Sequence, residues 1–190
     1  MMDIVSFTRM ADGSAADYEL ISRKHAPHAA RMRAELQRYV MQLLREAEEF
    51  DLGYPINRMQ HSLQTATRAF RDGVDEETVV VALLHDIGDG VGTLNHSDFA
   101  ASLLRPFISE RNYWIVRHHG LFQGYYYFHH QGGNRNARDQ FRDHPHYQAC
   151  VDFCEHWDQC SFDPHYDTMP LQAFEPMVAH LFAQEPRGFE

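Results

Sequence analysis

The sequence contains a single lysine, Lys24, among its 190 residues. Its 17 Lys and Arg residues are outnumbered by 27 Asp and Glu residues, which gives a formal net charge of −10. A nucleic-acid surface needs a basic stripe, so this charge balance argues against a nucleic-acid partner. An anionic group on a ligand would have to be held by arginine, by backbone amides or by a metal ion.

Long apolar runs and a secretory signal are missing as well. No segment approaches the roughly 18 consecutive apolar residues of a membrane span, and no basic stretch at the N-terminus leads into an apolar block. The three cysteines, Cys150, Cys154 and Cys160, are interpreted as reduced helix side chains. The alternative is a zinc site that includes His156. We therefore expect a cytoplasmic protein with no membrane partner.

The pattern of polar and apolar residues predicts helices alone, because no stretch alternates for long enough to indicate a strand. The length fits one domain. We predict an N-terminal arm over residues 1–26, with a short helix near 17–22, and a single domain over 27–190. Pro27 is expected to begin a long amphipathic helix that ends near residue 50. The predicted fold class is all-α, a single compact helical bundle.

Seven further helices are predicted, over residues 57–71, 76–88, 97–105, 109–119, 134–142, 145–160 and 170–183. Gly120 is expected to cap the fourth of these. The segment that follows, residues 121–134, is rich in aromatic residues and glycine, and we predict a loop there. The sequence contains no internal repeat and no flexible linker.

The most informative stretch is residues 79–89, VVVALLHDIGD. A helix that is apolar all round is buried, so this one carries His85 and Asp86 into the interior from an N-cap at Asp75. Buried carboxylates are normally paired or bound to metal. Because the chain has 14 histidines, we favour a metal.

Other His and Asp residues lie at the ends of apolar helices or within them. They are His61, His96, His119 and Asp158. A single histidine on an apolar face is more often a hydrogen-bonded core residue than a metal ligand. The inference therefore depends on the order and spacing of the whole series.

That series resembles the H…HD…D signature of the HD-domain superfamily, through His61, His85-Asp86 and Asp158. His96 and His119 resemble the two extra histidines of its dinuclear members. The similarity is greatest to the diiron HD oxygenases, which include myo-inositol oxygenase and bacterial phosphonate-cleaving enzymes. It covers roughly residues 50–160, and the segments that carry it are YPINRMQHSLQ (54–64), LNH (94–96), IVRHH (115–119) and WD (157–158).

The resemblance implies two iron ions in a mixed-valent Fe(II)/Fe(III) pair. It assigns one iron to His61, His85 and Asp158, the other to His96 and His119, and a bridging position to Asp86. His118 competes with His119, which is favoured because Arg117 and His118 are similar to the residues that precede the ligand in inositol oxygenase. Four imidazoles and two carboxylates without a thiolate suit iron, with Mn, Zn or Mg as alternatives.

The implied function is an oxygenase that uses O2 to cleave a C–C or C–P bond of a small hydroxylated substrate. The metals would carry the chemistry, and we assign no separate acid or base. The alternative, which the same signature supports, is a metal-dependent phosphohydrolase acting on a nucleotide or phosphate ester. The sequence predicts neither the substrate nor the oligomeric state.

Several residues near the predicted ligands are candidates for substrate or lid contacts. Tyr54 replaces a glutamate of the phosphonate-cleaving enzymes and is interpreted as a transient iron ligand, a lid residue or a packed aromatic. Asp89 replaces a lysine of inositol oxygenase and many hydrolases, and it either caps the next loop or binds a substrate hydroxyl or cation. The aromatic run over residues 125–128, which begins with Tyr125 and Tyr126, is interpreted as core, a lid or an aromatic cage suited to a quaternary ammonium.

A phosphonate would need a cationic partner, and no lysine is available for that role. The arginines considered as substitutes are Arg135, Arg138 and Arg142. Their alternative interpretation is a solvated helix face.

Overall fold

The chain folds into eight α-helices joined by short 3-10 turns in the computed structural model, which describes residues 4–49 and 52–187. No β-strand occurs within those residues, and the all-α prediction is confirmed. The helices are α1 (Ala15–Glu46), α2 (Arg58–Arg71), α3 (Glu76–Leu84), α4 (Asp89–Gly92), α5 (His96–Leu104), α6 (Glu110–Tyr127), α7 (Tyr147–Phe153) and α8 (Leu171–Ala183).

Helix α3 is the central helix of the bundle, with α2, α6 and α8 packed around it. Every residue from Thr78 to Leu84 is buried, as expected of a helix that is apolar all round. The Asp75 carboxylate accepts a hydrogen bond from the Thr78 amide at 2.9 Å, which confirms the predicted N-cap. The helix ends at Leu84 rather than at residue 88. His85 and Asp86 therefore lie in the turns that follow it.

Helix α1 begins at Ala15, not at Pro27, so the expectation of a short separate helix in a loose arm is wrong. Ser14 and Asp17 form a reciprocal capping box that starts the helix twelve residues early. Pro27 lies within the helix, in a stretch exposed to solvent. Only the second half of α1 enters the core, through Val40 and Leu44 among others. The helix therefore runs continuously across the predicted arm boundary at residues 26 and 27.

Helix α6 continues to Tyr127, so the predictions of a C-cap at Gly120 and of a loop over residues 121–134 are wrong. A short 3-10 turn, Phe128–Gln131, follows it. Phe122 is fully buried, and this packing outweighs the low helix propensity of aromatic residues and glycine. A Cβ atom at Gly120 would lie 3.0 Å from Ser97 Oγ, so this glycine permits close approach of α5.

The predicted helices over 134–142 and 145–160 are shorter than expected. The first is a 3-10 turn, Ala137–Phe141, and the second is α7 followed by a π-helical turn, Cys154–Asp158. The thiols of Cys150 and Cys154 are buried, and they donate to the carbonyl oxygens of Ile115 and His119 at 3.8 and 3.6 Å. These contacts attach α7 and the π-helical turn to α6. Across the described ranges, no helix combines the length and the apolar character that crossing a membrane requires.

Candidate functional site

Six side chains from five parts of the chain meet in the interior of the bundle. Helix α2 provides one histidine, the end of α3 a histidine and an aspartate, α5 and α6 one histidine each, and the π-helical turn an aspartate. Five of the six side chains are buried, and the sixth, on α5, is partly buried. The six, which we call the His/Asp cluster, are His61, His85, Asp86, His96, His119 and Asp158.

Asp86 lies at the middle of the His/Asp cluster, with its two oxygens facing different imidazole pairs. Its Oδ2 atom is 3.4 Å from Nε2 of both His61 and His85. Its Oδ1 atom is 3.0 Å from Nε2 of His119 and 3.4 Å from Nε2 of His96. Asp158 belongs to the first pair, since its Oδ1 atom is 3.2 Å from Nε2 of His61.

The four imidazoles are held with Nδ1 turned outwards and Nε2 turned inwards. Each Nδ1–H donates to a backbone carbonyl oxygen, and the acceptors belong to Ser161, Ala82, Thr93 and Val116 at 2.9, 2.8, 2.8 and 2.6 Å. Such bonds fix the tautomer and ring orientation that a metal-binding histidine needs. The inward Nε2 atoms approach one another to 3.4 Å between His61 and His85 and to 3.3 Å between His96 and His119.

The arrangement fits metal ions on the chemistry of its donors. Two unprotonated Nε2 atoms that face each other are both acceptors, so each pair needs a proton or a cation between its members. Asp158 Oδ2 is buried and has no hydrogen-bond partner among the described residues. Imidazole nitrogens with carboxylate oxygens suit iron, manganese or zinc. The six residues therefore have the donor atoms, the burial and the orienting contacts of a metal site.

Charge interactions dominate the protonation of these groups. Burial would lower the pKa of His85, but Asp86 and Asp158 raise it to about 10. Burial would likewise raise the pKa of Asp86, but His85, His119 and His61 hold it well below its usual range. The Asp86 carboxylate is thus ionised, and the adjacent His85 imidazole holds a proton that a metal cation would replace.

Local backbone features place two of the six side chains. A Cβ atom at Gly88 would lie 2.6 Å from the carbonyl oxygen of His96 and 2.8 Å from its Cα, so glycine there lets α5 approach the end of α3. Asp158 is the last residue of the π-helical turn, whose wider winding interrupts the register of α7. Such turns are frequent at functional sites.

A cavity of about 260 Å³ opens onto four members of the His/Asp cluster, Asp86, His96, His119 and Asp158. One part of its wall is aromatic. Phe162 stacks on the His61 ring at 4.5 Å and lies 4.8 Å from the Tyr54 ring. The remaining side chains of the wall are Arg58, Gln123, Tyr126, Tyr127 and Gln159. The cavity is therefore a site where a small molecule would touch the cluster directly.

The other predicted candidates lie in different surroundings. Tyr54 and Tyr126 line the cavity. His118 stacks on Trp114 at 4.2 Å, and its pKa is lowered by burial. The ring of Tyr125 faces the guanidinium of Arg138 at 3.8 Å.

The predicted arginines lie around that ring and on the surface. Arg135 also faces the Tyr125 ring, at 4.3 Å, and Arg142 forms an exposed pair with Asp139. Asp89 is buried and paired with Arg58 at 2.6 Å.

The sequence did not single out Arg58, Phe162 or the two glutamines of the wall, whereas Tyr127 belongs to the aromatic run over residues 125–128. For Arg58 a local signal exists, because a residue three positions before His61 shares its helix face. Phe162 and Gln159 follow Asp158 closely, but nothing in their local pattern distinguishes them from core or surface residues. Their position depends on the fold of the segment after the π-helical turn.

Comparison with known proteins gives two matches. A family model described as "HD domain" matches residues 58–152. The [1-hydroxy-2-(trimethylamino)ethyl]phosphonate dioxygenase (glycine-betaine-forming) of Leisingera caerulea is 35% identical over 86 residues. This alignment covers 40% of the present chain and 44% of the relative. The similarity thus spans less than half the length of either protein.

Proposed function

Because the chain belongs to the HD domain family, whose members are generally metal-dependent enzymes, we propose that it is a mixed-valent diiron oxygenase. Its reaction would use O2 to cleave a C–P or C–C bond of a small hydroxylated substrate. The observation that carries this proposal is the position of Asp86, with each oxygen facing a separate imidazole pair. A carboxylate in that position is suited to bridge two metal ions.

The proposed ligand partition follows from the distances within the His/Asp cluster. His61, His85 and Asp158 would hold one iron together with Asp86 Oδ2. His96 and His119 would hold the other together with Asp86 Oδ1. When bound, the irons would activate O2, and the electrons that reduce O2 would come from oxidation of the substrate during bond cleavage. Both carboxylates and all four histidines are then used as ligands.

The chain's own residues would bind and orient the substrate in the cavity. Tyr54 and Phe162 line one side of it with aromatic rings that contact each other. Gln123 Oε1 is buried without a hydrogen-bond partner in the described residues and is available to a substrate donor. We assign no separate general acid or base, since the cavity wall offers no further histidine or lysine within the described residues.

The activity of the Leisingera caerulea relative supports, as the substrate, a phosphonate that carries a hydroxyl and a trimethylammonium group. Aromatic faces attract quaternary ammonium ions, and Tyr54, Tyr126, Tyr127 and Phe162 all line the cavity. Tyr125 is excluded from this role because it does not line the cavity, and its ring faces Arg135 and Arg138 instead. We therefore place hydroxylated ammonium phosphonates first among candidate substrates.

Metal analysis combined with electron paramagnetic resonance tests the proposal. The protein should be reduced anaerobically, partly reoxidised, and then offered 1-hydroxy-2-(trimethylamino)ethylphosphonate while O2 uptake is followed. We expect about two irons per chain, a mixed-valent signal, and O2 consumption that releases phosphate from the phosphonate. Asp98→Asn is the control, because Asp98 is an exposed carboxylate paired with Arg117. Zinc or manganese with ester hydrolysis and no O2 uptake would replace this proposal with a phosphohydrolase.

A further inference from the structure

Arg58 is the one arginine or lysine in the cavity wall, as far as the described residues show. It is the first residue of α2, one turn before His61. Its side chain is 16% exposed, so the guanidinium is mostly enclosed between the bundle and the cavity. An enclosed arginine on a ligand-sized cavity needs either a structural partner or a ligand to satisfy its charge.

Asp89 holds the guanidinium in place from one side. The Arg58 Nε atom is 2.6 Å from Asp89 Oδ2, and the side chain of Asp89 is 3% exposed. Arg58 Nη1 is 3.4 Å from Asp86 Oδ2, and the guanidinium carbon is 5.3 Å from the centre of the Tyr54 ring. The Arg58 guanidinium, a planar fork of N–H donors, is thus held at the boundary between the His/Asp cluster and the aromatic wall.

Donors remain on this fork for a further acceptor. A guanidinium has five N–H donors, and the contacts with Asp89 and Asp86 involve Nε and Nη1. Paired donors on a planar fork match the oxygens of phosphonate or carboxylate groups. The aromatic wall, in contrast, offers no matching charge to an anion.

We propose that Arg58 binds the anionic end of the substrate and that Asp89 positions it for this role. This inference rests on the proposed function, which identifies the cavity beside the cluster as the substrate site. The positive charge of two bound iron ions would exceed the negative charge of the Asp86 and Asp158 carboxylates. The metal-loaded site would therefore attract anions. The ligand class is a small hydroxylated molecule with a phosphonate or carboxylate group.

Anaerobic isothermal titration calorimetry with three matched probes tests the role of Arg58. The probes are 2-hydroxyethylphosphonate, 3-hydroxypropanoate and the neutral propane-1,3-diol, titrated into metal-loaded protein. We expect Arg58→Gln to weaken binding of the preferred anion roughly 10-fold or more, as loss of charge-assisted hydrogen bonds implies. Binding of the diol and the metal content should not change. The more tightly bound acid identifies which anionic group the site prefers.

Arg71→Gln is the matched control, since Arg71 is on the same helix but forms a more exposed pair with Asp167. Asp89→Asn should weaken binding of the anion less than Arg58→Gln does, with metal content and diol binding retained. If Arg58→Gln does not fold, Arg58→Lys is tested in its place. Lysine keeps the positive charge but loses the contact between Nε and Asp89, so anion binding should still weaken.

Unchanged anion affinity in the folded Arg58 variants would overturn the inference. Loss of metal and diol binding together with anion binding would also overturn it, because Arg58 would then support the cluster rather than the substrate. Neither result depends on turnover. A chain that binds the phosphonate through Arg58 but consumes no O2 would instead overturn the proposed oxygenase activity alone.

Discussion

Asp86 differs from the other members of the His/Asp cluster because its two oxygens contact different pairs of imidazoles. Oδ2 faces His61 and His85, whereas Oδ1 faces His96 and His119. Each histidine contributes one inward nitrogen and therefore belongs to one pair. At the scale of single residues, this asymmetry makes the consequences of mutation unequal across the cluster.

We expect Asp86→Ala to lose both metal ions and His96→Ala to lose one. The aspartate is shared by the two pairs, whereas His96 contacts the half that contains His119. Metal analysis after gel filtration should find almost no metal in the first variant and about one ion per chain in the second. Asp98→Ala, an exposed control, should retain about two. Equal loss in the Asp86 and His96 variants would contradict the proposed ligand partition.

Residues of the cluster and residues of the cavity wall differ in how far the sequence predicts them. His85 and Asp86 follow a run of apolar residues, so their burial can be read from a local pattern. Arg58 is adjacent in space to Asp89, which lies 31 positions later, and no local pattern pairs them. Phe162 stacks on His61 across 101 positions. Contacts of this kind are set by packing between elements, which a single sequence does not reveal.

Glycines at the contacts between elements determine how closely α5 approaches α3 and α6. The backbone of His96 lies over Gly88, and its imidazole lies near Gly120. Because a Cβ at Gly88 would meet backbone atoms of His96 at 2.6 and 2.8 Å, a side chain there would force the start of α5 to shift. The position of His96 therefore depends on the absence of a Cβ atom at Gly88 in the neighbouring turn.

Gly88→Ala should displace α5 and remove the metal held by His96 and His119, while the other metal stays. Overpacking of this kind typically costs about 1–3 kcal/mol of folding free energy, so the variant should still fold. Metal content and the melting temperature are the measurements. Gly92→Ala is the control, because its Cβ would meet the side-chain tip of Asn95 rather than backbone. A Gly88→Ala protein with about two metals would show that α5 is not constrained there.

The helix boundaries show where local rules and tertiary packing disagree. Pro27 and Gly120 are residues that normally mark helix ends, yet both lie inside helices. For α1, the capping box of Ser14 and Asp17 is a local sequence pattern that indicates a helix start before Pro27. At position 120 a glycine is needed because α5 packs closely against it. No local pattern in the sequence indicates this contact. The pattern of apolar residues likewise gives no signal for the π-helical turn that ends at Asp158.

At the scale of the whole molecule, the predicted resemblance to the HD-domain superfamily is confirmed by the family match over residues 58–152. The order of the His and Asp residues allowed this prediction, since five separate segments must deliver them to one point. The alternatives of oxygenase and phosphohydrolase are not separated by that order, because both chemistries use metals held by His and Asp. The proposal of an oxygenase therefore draws on the similarity to a phosphonate dioxygenase as well.

Metal removal should destabilise the entire bundle rather than loosen one helix. The cluster joins α2, α3, α5, α6 and the π-helical turn, so metal bound there contributes to folding free energy. Metal at 100 times its dissociation constant adds about 2.7 kcal/mol, which corresponds to a rise of roughly 5–10 °C in melting temperature for a chain of this size.

Thermal denaturation of metal-free protein, with and without added iron under anaerobic conditions, measures this difference. Asp86→Asn is the matched control, because it keeps the shape of the side chain but removes the charge that faces both imidazole pairs. Its melting temperature should respond little to iron. If the wild-type chain and Asp86→Asn gain the same number of degrees, the stabilising metal binds elsewhere, and the cluster does not connect the helices through metal.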